Sequence, residues 1–347
     1  MTASKLTITI VGAGVVGLWQ AVTLARAGHR VRVIERSPAT DPFRASASRY
    51  AGAMIAPDTE AEAAPPIVRD LGRQAYDIWA DTVPVSQRGS LVVASIREPG
   101  ELKRFARLTE GHVMLGRDAV AALEPDLGGR FETALHFAAE AHVAALDALT
   151  ALLAAAREAG ATFDFGIDAD SETAQDDTSR SGAAAPDWTI DCRGLAASRD
   201  IPTLRGVRGE RLLLHADGVT FTRPVRYLDP RTPIYIVPWP GHVYMVGATV
   251  IESDESGPMS VRSAVELMAA VCALHPGFAE ATIIDFGAGV RPSLPDNVPR
   301  ALVDKRRRTI RVNGAYRHGF LLAPILARSV SRMLDGAEAE PLVEGHL

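Results

Sequence analysis

The stretch LTITIVGAGVVGLWQAVTLARAGHRVRVIER, Leu6 to Arg36, decides the fold. Leu6 to Val11 is a continuous apolar run rich in β-branched residues, the pattern of a parallel strand buried on both faces. Gly12, Gly14 and Gly17 follow as G-x-G-x-x-G. Gly12 permits a tight turn, Gly14 lets backbone approach a pyrophosphate, and Gly17 lets a helix pack closely on the strand. Val16 to Ala27 is expected as that helix, its first amides and dipole turned to the diphosphate, with Gly28 as its stop. Val31 to Ile34 is the next strand, and Glu35 closes it at the spacing that accepts a ribose 2′-hydroxyl. A carboxylate there excludes a 2′-phosphate, so the cofactor expected is FAD or NAD rather than NADP. A lone glycine motif is weak; strand, glycines, helix, strand and acid in order predict a dinucleotide-binding α/β unit.

The rest of the composition fits. The 347 residues are enough for two domains, and 47% hydrophobic content can bury a sizeable interior. A net charge of −5 disfavours general binding to nucleic acid or anionic membranes. Cys192 and Cys272 are too few for a disulfide framework and fit a reducing, cytoplasmic setting. No apolar run reaches the roughly 18 residues that span a bilayer, and no signal peptide is visible. There is no Cys-x-x-Cys and no histidine pair at helical ligand spacing, so no metal is expected. The basic cluster DKRRRTIR, Asp304 to Arg311, reads as a solvated hairpin turn.

Further along, ASASRYAGAMIAP (Ala45 to Pro57) is dominated by small residues that let backbone lie against a bulky ligand. Helices are expected near Pro66 to Ala80, Glu98 to Thr109 and Arg117 to Leu123, with SLVVAS between them as a strand. Ala144 to Gly160 is an amphipathic helix with a glycine stop, followed by the strand ATFDFGI. The polar run from Asp168 to Asp187 cannot bury enough apolar area to order itself and reads as a mobile surface excursion. Trp188 to Ser198 reads as a strand ending in glycine that returns to the nucleotide unit, with Cys192 buried beside it. Several runs rich in Val, Ile and Tyr, broken by Pro and Gly, then predict a sheet-dominated second unit, with Cys272 in the core of a helix. The boundaries expected are 1–80, 142–207 and 285–347 for the nucleotide unit, and 81–141 with 208–284 for the second.

The tail NGAYRHGFLLAP (Asn313 to Pro324) explains the discontinuity. A simple NAD unit is usually one block, whereas this chain comes back twice. The last return places a loop and a helix start, near Phe320 to Leu322, where free amides stabilise the negative charge of a reduced flavin. The other reading is a plain C-terminal helix packed on the sheet.

VGAGVVG, Glu35, SRYAGAMIAP, YIVP with VGATVIES, GVRPSLPDNVP and NGAYRHGFLLAP together resemble the D-amino-acid-oxidase/glycine-oxidase family of FAD enzymes, from about Leu6 to Leu334. Within it the likeness is greatest to the glycine oxidase of bacterial thiamine (thiazole) biosynthesis. The resemblance implies an α/β fold: a discontinuous Rossmann-like, glutathione-reductase-type FAD domain, plus a substrate domain built on a mixed β-sheet with helices. It implies non-covalent FAD and oxidation of glycine, or another small amino acid or amine, to the imine. Arg291 matches the arginine that grips the substrate carboxylate, Tyr235 a tyrosine that helps hold it, and Arg317 a second basic residue nearby. Val250 and His318 match the substrate pocket. Beyond the glycine motif and Glu35, the flavin contacts implied are Val15, Val16, Arg36, Ser48, Ala53, Met54, Gly194, Gly289, Arg291, Arg317, His318, Gly319, Phe320 and Leu321. Relatives are often oligomers, and dioxygen and a thiazole synthase are the implied partners. The chain departs from the family at Val250, where a methionine is usual, and at Ala51-Gly52-Ala53-Met54, where A-A-G-M is usual.

Arginine offers a carboxylate a planar two-point grip, and the following proline holds Arg291 extended. The alternatives are an Arg291 salt bridge to Asp285 or Asp296 and a Tyr235 that is only a core residue. No histidine is paired as in a catalytic triad. That absence fits hydride transfer to a flavin, which needs placement and a neutral amine more than a base. The competing functions are a D-amino-acid dehydrogenase that feeds a quinone or carrier, a non-catalytic flavin-binding scaffold, and an enzyme acting on a modified nucleoside in RNA. The acidic net charge counts against the last.

Overall fold

The computed structural model describes residues 5–95, 97–169, 185–338 and 340–346. Most of the expected excursion between Asp168 and Asp187 lies outside them. Among the described residues one sheet has seven strands, in the order Val343–His346, Arg300–Asp304, Thr309–Asn313, Trp188–Asp191, Thr7–Val11, Arg30–Glu35 and Thr162–Phe165. Thr7–Val11 is an interior strand, parallel to both Arg30–Glu35 and the central Trp188–Asp191, and the latter is parallel to Thr309–Asn313. The chain therefore returns twice to the sheet it starts. Helices Val15–Arg26, Ala145–Glu158 and Gly319–Leu334 cover this sheet, and Ile8, Ile10, Leu18, Val33, Leu149, Ile190, Ile310 and Leu322 share one buried core. DKRRRTIR forms the turn of the antiparallel hairpin Arg300–Asp304 and Thr309–Asn313.

The start of the last helix is fixed by a substitution of partners. Pro324 sits inside it and has no N–H to donate to the carbonyl four residues earlier, that of Phe320. Trp79 fills the gap: its Nε1–H donates to the Phe320 carbonyl at 2.7 Å, and its ring stacks on Phe320 with centroids 5.7 Å apart. The helix expected over Pro66 to Ala80 is accordingly two, Pro66–Gly72 and Ala75–Ala80. A Cβ at Gly72 would stand 2.9 Å from the Leu321 side chain.

The second sheet runs Ile251–Glu252, Arg205–His215, Val243–Gly247, Ile234–Trp239, Val225–Leu228, Ser90–Ala94, Thr133–Phe137 and Val113–Gly116, with Thr282–Ser293 also paired to Arg205–His215. Its core, with Leu91, Leu212, Ile236, Val246, Leu267, Val271 and Phe278, lies under helix Val261–Leu274. Thr282–Ser293 pairs antiparallel along nearly all of Arg205–His215. The boundaries expected at 207/208 and 284/285 thus fall inside strands. Gly289 and Arg291 belong to the second sheet, because its ladder is not interrupted by the glycines within it.

Candidate active site

A cavity of about 1010 Å³ runs between the two sheets. One end is built from backbone. Gly12 has φ +99°, and a Cβ there would come within 2.8 Å of the Cys192 carbonyl. Gly17 does not line the cavity; a Cβ there would overlap the Gly12 carbonyl, so this glycine admits the helix to the strand. The helix that starts at Val15 has no side-chain cap at Gly14, and the Val15 amide donates to Ser48 Oγ at 3.2 Å. Glu35 is buried at the lip of the strand, where its carboxylate accepts from the amides of Ala13 (2.7 Å) and Ser37 (2.8 Å). A carboxylate has about four acceptor positions, so both oxygens keep capacity for ribose hydroxyls. Val15, Val16, Arg36, Ser48, Ala53, Met54 and Gly194 line the same end and middle of the cavity. Gly319, Phe320 and Leu321, at the uncapped start of the last helix, also line the cavity, and a Cβ at Gly319 would stand 3.5 Å from the Val15 side chain, so the two helix starts adjoin.

The wall opposite is one face of the second sheet. Val92, Arg226, Tyr235, Gly247, Arg211 and Gly287 are successive cross-strand partners. Directly opposed residues share a face, as do residues two apart along a strand. Gly209 with Gly289, then Val207 with Arg291, therefore continue the same face. The glycines make room for what lies over them. A Cβ at Gly209 would occupy the place of the Arg291 guanidinium, and one at Gly52 would stand 2.6 Å from Tyr235 Cε2.

Arg291 hydrogen-bonds the Thr249 carbonyl (3.3 Å), and among the described residues no carboxylate pairs with it. Asp285 is taken by Arg211 (2.8 Å) and Asp296 by Arg300 (2.6 Å), which removes both salt bridges weighed for it. Burial pushes the Arg291 guanidinium below its ordinary pKa, and the neighbouring Tyr235 partly offsets this. Arg317 has a partner of its own. Glu60 Oε1 lies 3.2 Å from Arg317 Nη2 and 3.0 Å from Arg226 Nη2, and Glu60 Oε2 lies 3.4 Å from His318 Nδ1. Burial alone would raise the Glu60 carboxyl, yet Arg317, His318 and Arg226 together hold it well below the usual carboxylate range. Glu60 in turn holds Arg317 above its ordinary value.

Two expected pocket residues are placed elsewhere. Val250 is 52% exposed and does not line the cavity. In this segment between two strands its neighbour Thr249 is the one held, with its Oγ1 accepting from the Glu210 amide and its carbonyl accepting from Arg291, and Val250 is left in solvent. His318 is buried and also does not line the cavity; it is the residue before the last helix, with its ring turned to Glu60. Sequence reading passed over Glu60, Arg226 and Gly209. Arg226 had a signal, as the one charge in the otherwise apolar strand VRYL, and a buried charge demands a partner.

The family model described as FAD dependent oxidoreductase (DAO) matches residues 7–333. The chain belongs to this family. A Rhizobium etli protein named thiamine biosynthesis oxidoreductase ThiO is 47% identical over 96% of this chain and 98% of its own length. The glycine oxidase of Geobacillus kaustophilus is 25% identical over 95% of this chain and 93% of its own. The crystal structure of glycine oxidase from that organism superposes with TM-score 0.78, at 22% identity, over 96% of both chains. A Nostoc sp. bifunctional protein ThiO/ThiG is 26% identical over 97% of this chain but 54% of its own length. This member is an FAD-dependent oxidoreductase of the ThiO/glycine-oxidase type with a glycine-oxidase-like fold. The donor set fits FAD: the glycine turn and helix start at Gly12 to Val16 for the pyrophosphate, Glu35 for the ribose, and the uncapped amides from Gly319 on for the isoalloxazine side. Among the described residues no helix is long and apolar enough to cross a membrane, and no cluster of three metal-ligating side chains occurs.

Proposed function

We propose that this oxidoreductase oxidises glycine, or another small amino acid or amine, to the imine, which hydrolyses to glyoxylate and ammonia in the case of glycine. The observation that carries this reading is Arg291: a half-buried guanidinium on the cavity wall, held by a backbone carbonyl and without an acidic partner among the described residues. Such a cation is stabilised by a carboxylate that enters from solution, and its planar fork fixes that carboxylate at two points. Tyr235, beside it, adds a hydroxyl to the grip. The wall glycines leave the space above Gly209 to Arg291 alone. Arg317, already neutralised by Glu60, borders the pocket rather than clamping the carboxylate. Bound FAD supplies the two-electron acceptor and passes the electrons to dioxygen, which becomes hydrogen peroxide. The chain's own task is placement, and the uncapped amides of Gly319 to Leu321 favour the negative charge that arises near them. The cofactor contacts that line the cavity are part of the same proposal, as is non-covalent attachment. The ThiO/ThiG relative supports delivery of the imine to a thiazole-forming partner.

The test is anaerobic mixing of the yellow protein with glycine, sarcosine and small D-amino acids, followed by admission of air. Flavin bleaching and one peroxide per substrate are expected. Bleaching with slow reoxidation by oxygen would mark a dehydrogenase, and no bleaching with any member would sink the reading.

A further inference from the structure

Three guanidinium groups, Arg226, Arg291 and Arg317, line the cavity around Tyr235, and the carboxylate in contact with two of them is Glu60; Glu252 and Asp254, both exposed, lie toward Arg205. Two positive charges are in excess before a substrate enters, and its carboxylate cancels one of them. We propose that Glu60 sets the net charge of this pocket and, through it, the pH at which an amino acid is held there with its amine unprotonated; this rests on the amino-acid reading above.

The argument is electrostatic. A net positive surrounding disfavours an ammonium group and favours the free amine. Oxidation at the α-carbon needs the amine lone pair, so such a pocket performs by its charge what a side-chain base would otherwise do. Glu60 is poorly suited to be that base: Arg226 and Arg317 share one of its oxygens, His318 faces the other, and it is held ionised. Its position makes it the regulator of the surplus. The remaining groups around it are Tyr235 and Tyr316, which act on Arg291 and Arg317, and Glu62, whose partner is Arg104. Glu140 lies behind Arg226, outside the cavity lining, and accepts from Thr59 and Ser90. Burial pushes its carboxyl up to about 7, so below that pH it leaves the surplus uncancelled. The acid side of the profile is where the surplus acts.

The test compares Glu60→Gln, Glu60→Asp and Arg317→Met with the unaltered FAD enzyme, all checked for flavin absorbance and melting temperature. The rate of anaerobic flavin reduction at saturating glycine is followed against pH, and acetate binding is read from the flavin spectrum. Glu60→Gln is expected to move the acidic limb to lower pH by about one unit, and Arg317→Met to higher pH by a similar amount, the size expected for one charge at several ångströms in a partly screened site. Glu60→Asp keeps the limb in place. Acetate binds about tenfold tighter to Glu60→Gln and more weakly to Arg317→Met, by the same charge argument. A purely structural role would shift both variants the same way, and a Glu60 acting as base would lose rate at every pH in Glu60→Gln; either outcome overturns the proposal, as does acetate binding that ignores both changes. If glycine and its analogues bleach none of the proteins, the amino-acid reading fails, while the acetate measurements still decide the charge of the pocket.

Discussion

The two ends of the cavity are built in opposite ways. At the Gly12 end most of the lining comes from Val11 to Val16, with Glu35 and Ser48 close behind in sequence and Cys192 to Gly194 beside them, and much of what it offers is backbone. At the substrate end the working groups are side chains from four separate segments: Glu60, then Arg226 and Tyr235, then Arg291, then Arg317. Backbone binding is set by conformation, so it tolerates little change in glycine positions and little depends on charge. Side-chain binding depends on which charges meet, so it is tuned by partners distant in the chain.

The sharpest way to break this contrast is a pair of substitutions. Arg291→Ala is expected to weaken apparent affinity for the substrate by about two to three orders of magnitude, the cost of removing one partner of a buried, hydrogen-bonded charge pair, while FAD stays bound. Gly17→Ala should do the reverse, since the added Cβ overlaps the Gly12 carbonyl: FAD is lost or bound about tenfold or more weakly, with a destabilisation of about 1–3 kcal/mol from overpacking. Titration of FAD into the apoprotein and glycine kinetics on the holoprotein measure the two effects separately. An Arg291→Ala enzyme with near-normal apparent affinity for glycine would end the division of labour.

Trp79→Phe tests the junction between the ends. It keeps the stacked ring but leaves the Phe320 carbonyl without its donor, at a cost of about 1–3 kcal/mol for an unsatisfied buried group. Denaturant unfolding reads it, and an unchanged midpoint would mean that the helix start relaxes freely. The smallest effect is expected at Ala53, which has φ +52° where the family pattern carries glycine. Ala53→Gly relieves a left-handed alanine and should stabilise by about 0.5–1 kcal/mol. The neighbouring glycine is not spare, because Gly52 is where Tyr235 presses. A swap that restores the usual order, Gly52→Ala with Ala53→Gly, is therefore expected to disturb Tyr235 and lower activity even as it removes the strain at Ala53.

Much of the site was legible in the sequence, for reasons that differ by residue. Gly12, Gly14 and Glu35 were readable because a strand–turn–helix leaves a local signature in residue type and spacing. Arg291, Tyr235 and Gly319 came through resemblance, from short motifs that include a proline or glycine at a fixed offset. Val250 was expected in the pocket and stands exposed, outside the cavity lining, because its motif records nearness in sequence and not the side to which a residue points. Arg317 lines the cavity as expected of it, but the partner that offsets its charge was invisible, since Glu60 lies 257 residues earlier.

By itself the sequence determined the α/β unit, the dinucleotide, the two returns of the chain and the segments that line the cavity, because each depends on periodicity, glycine placement or a contiguous motif. Only the tertiary structure decided which charges face one another: that Arg291 stands without a carboxylate among the described residues, while Arg226 and Arg317 share Glu60. Those pairings arise from cross-strand register and from the packing of a short helix against a distant sheet. Coulomb interactions act across space within a few ångströms and are indifferent to separation along the chain.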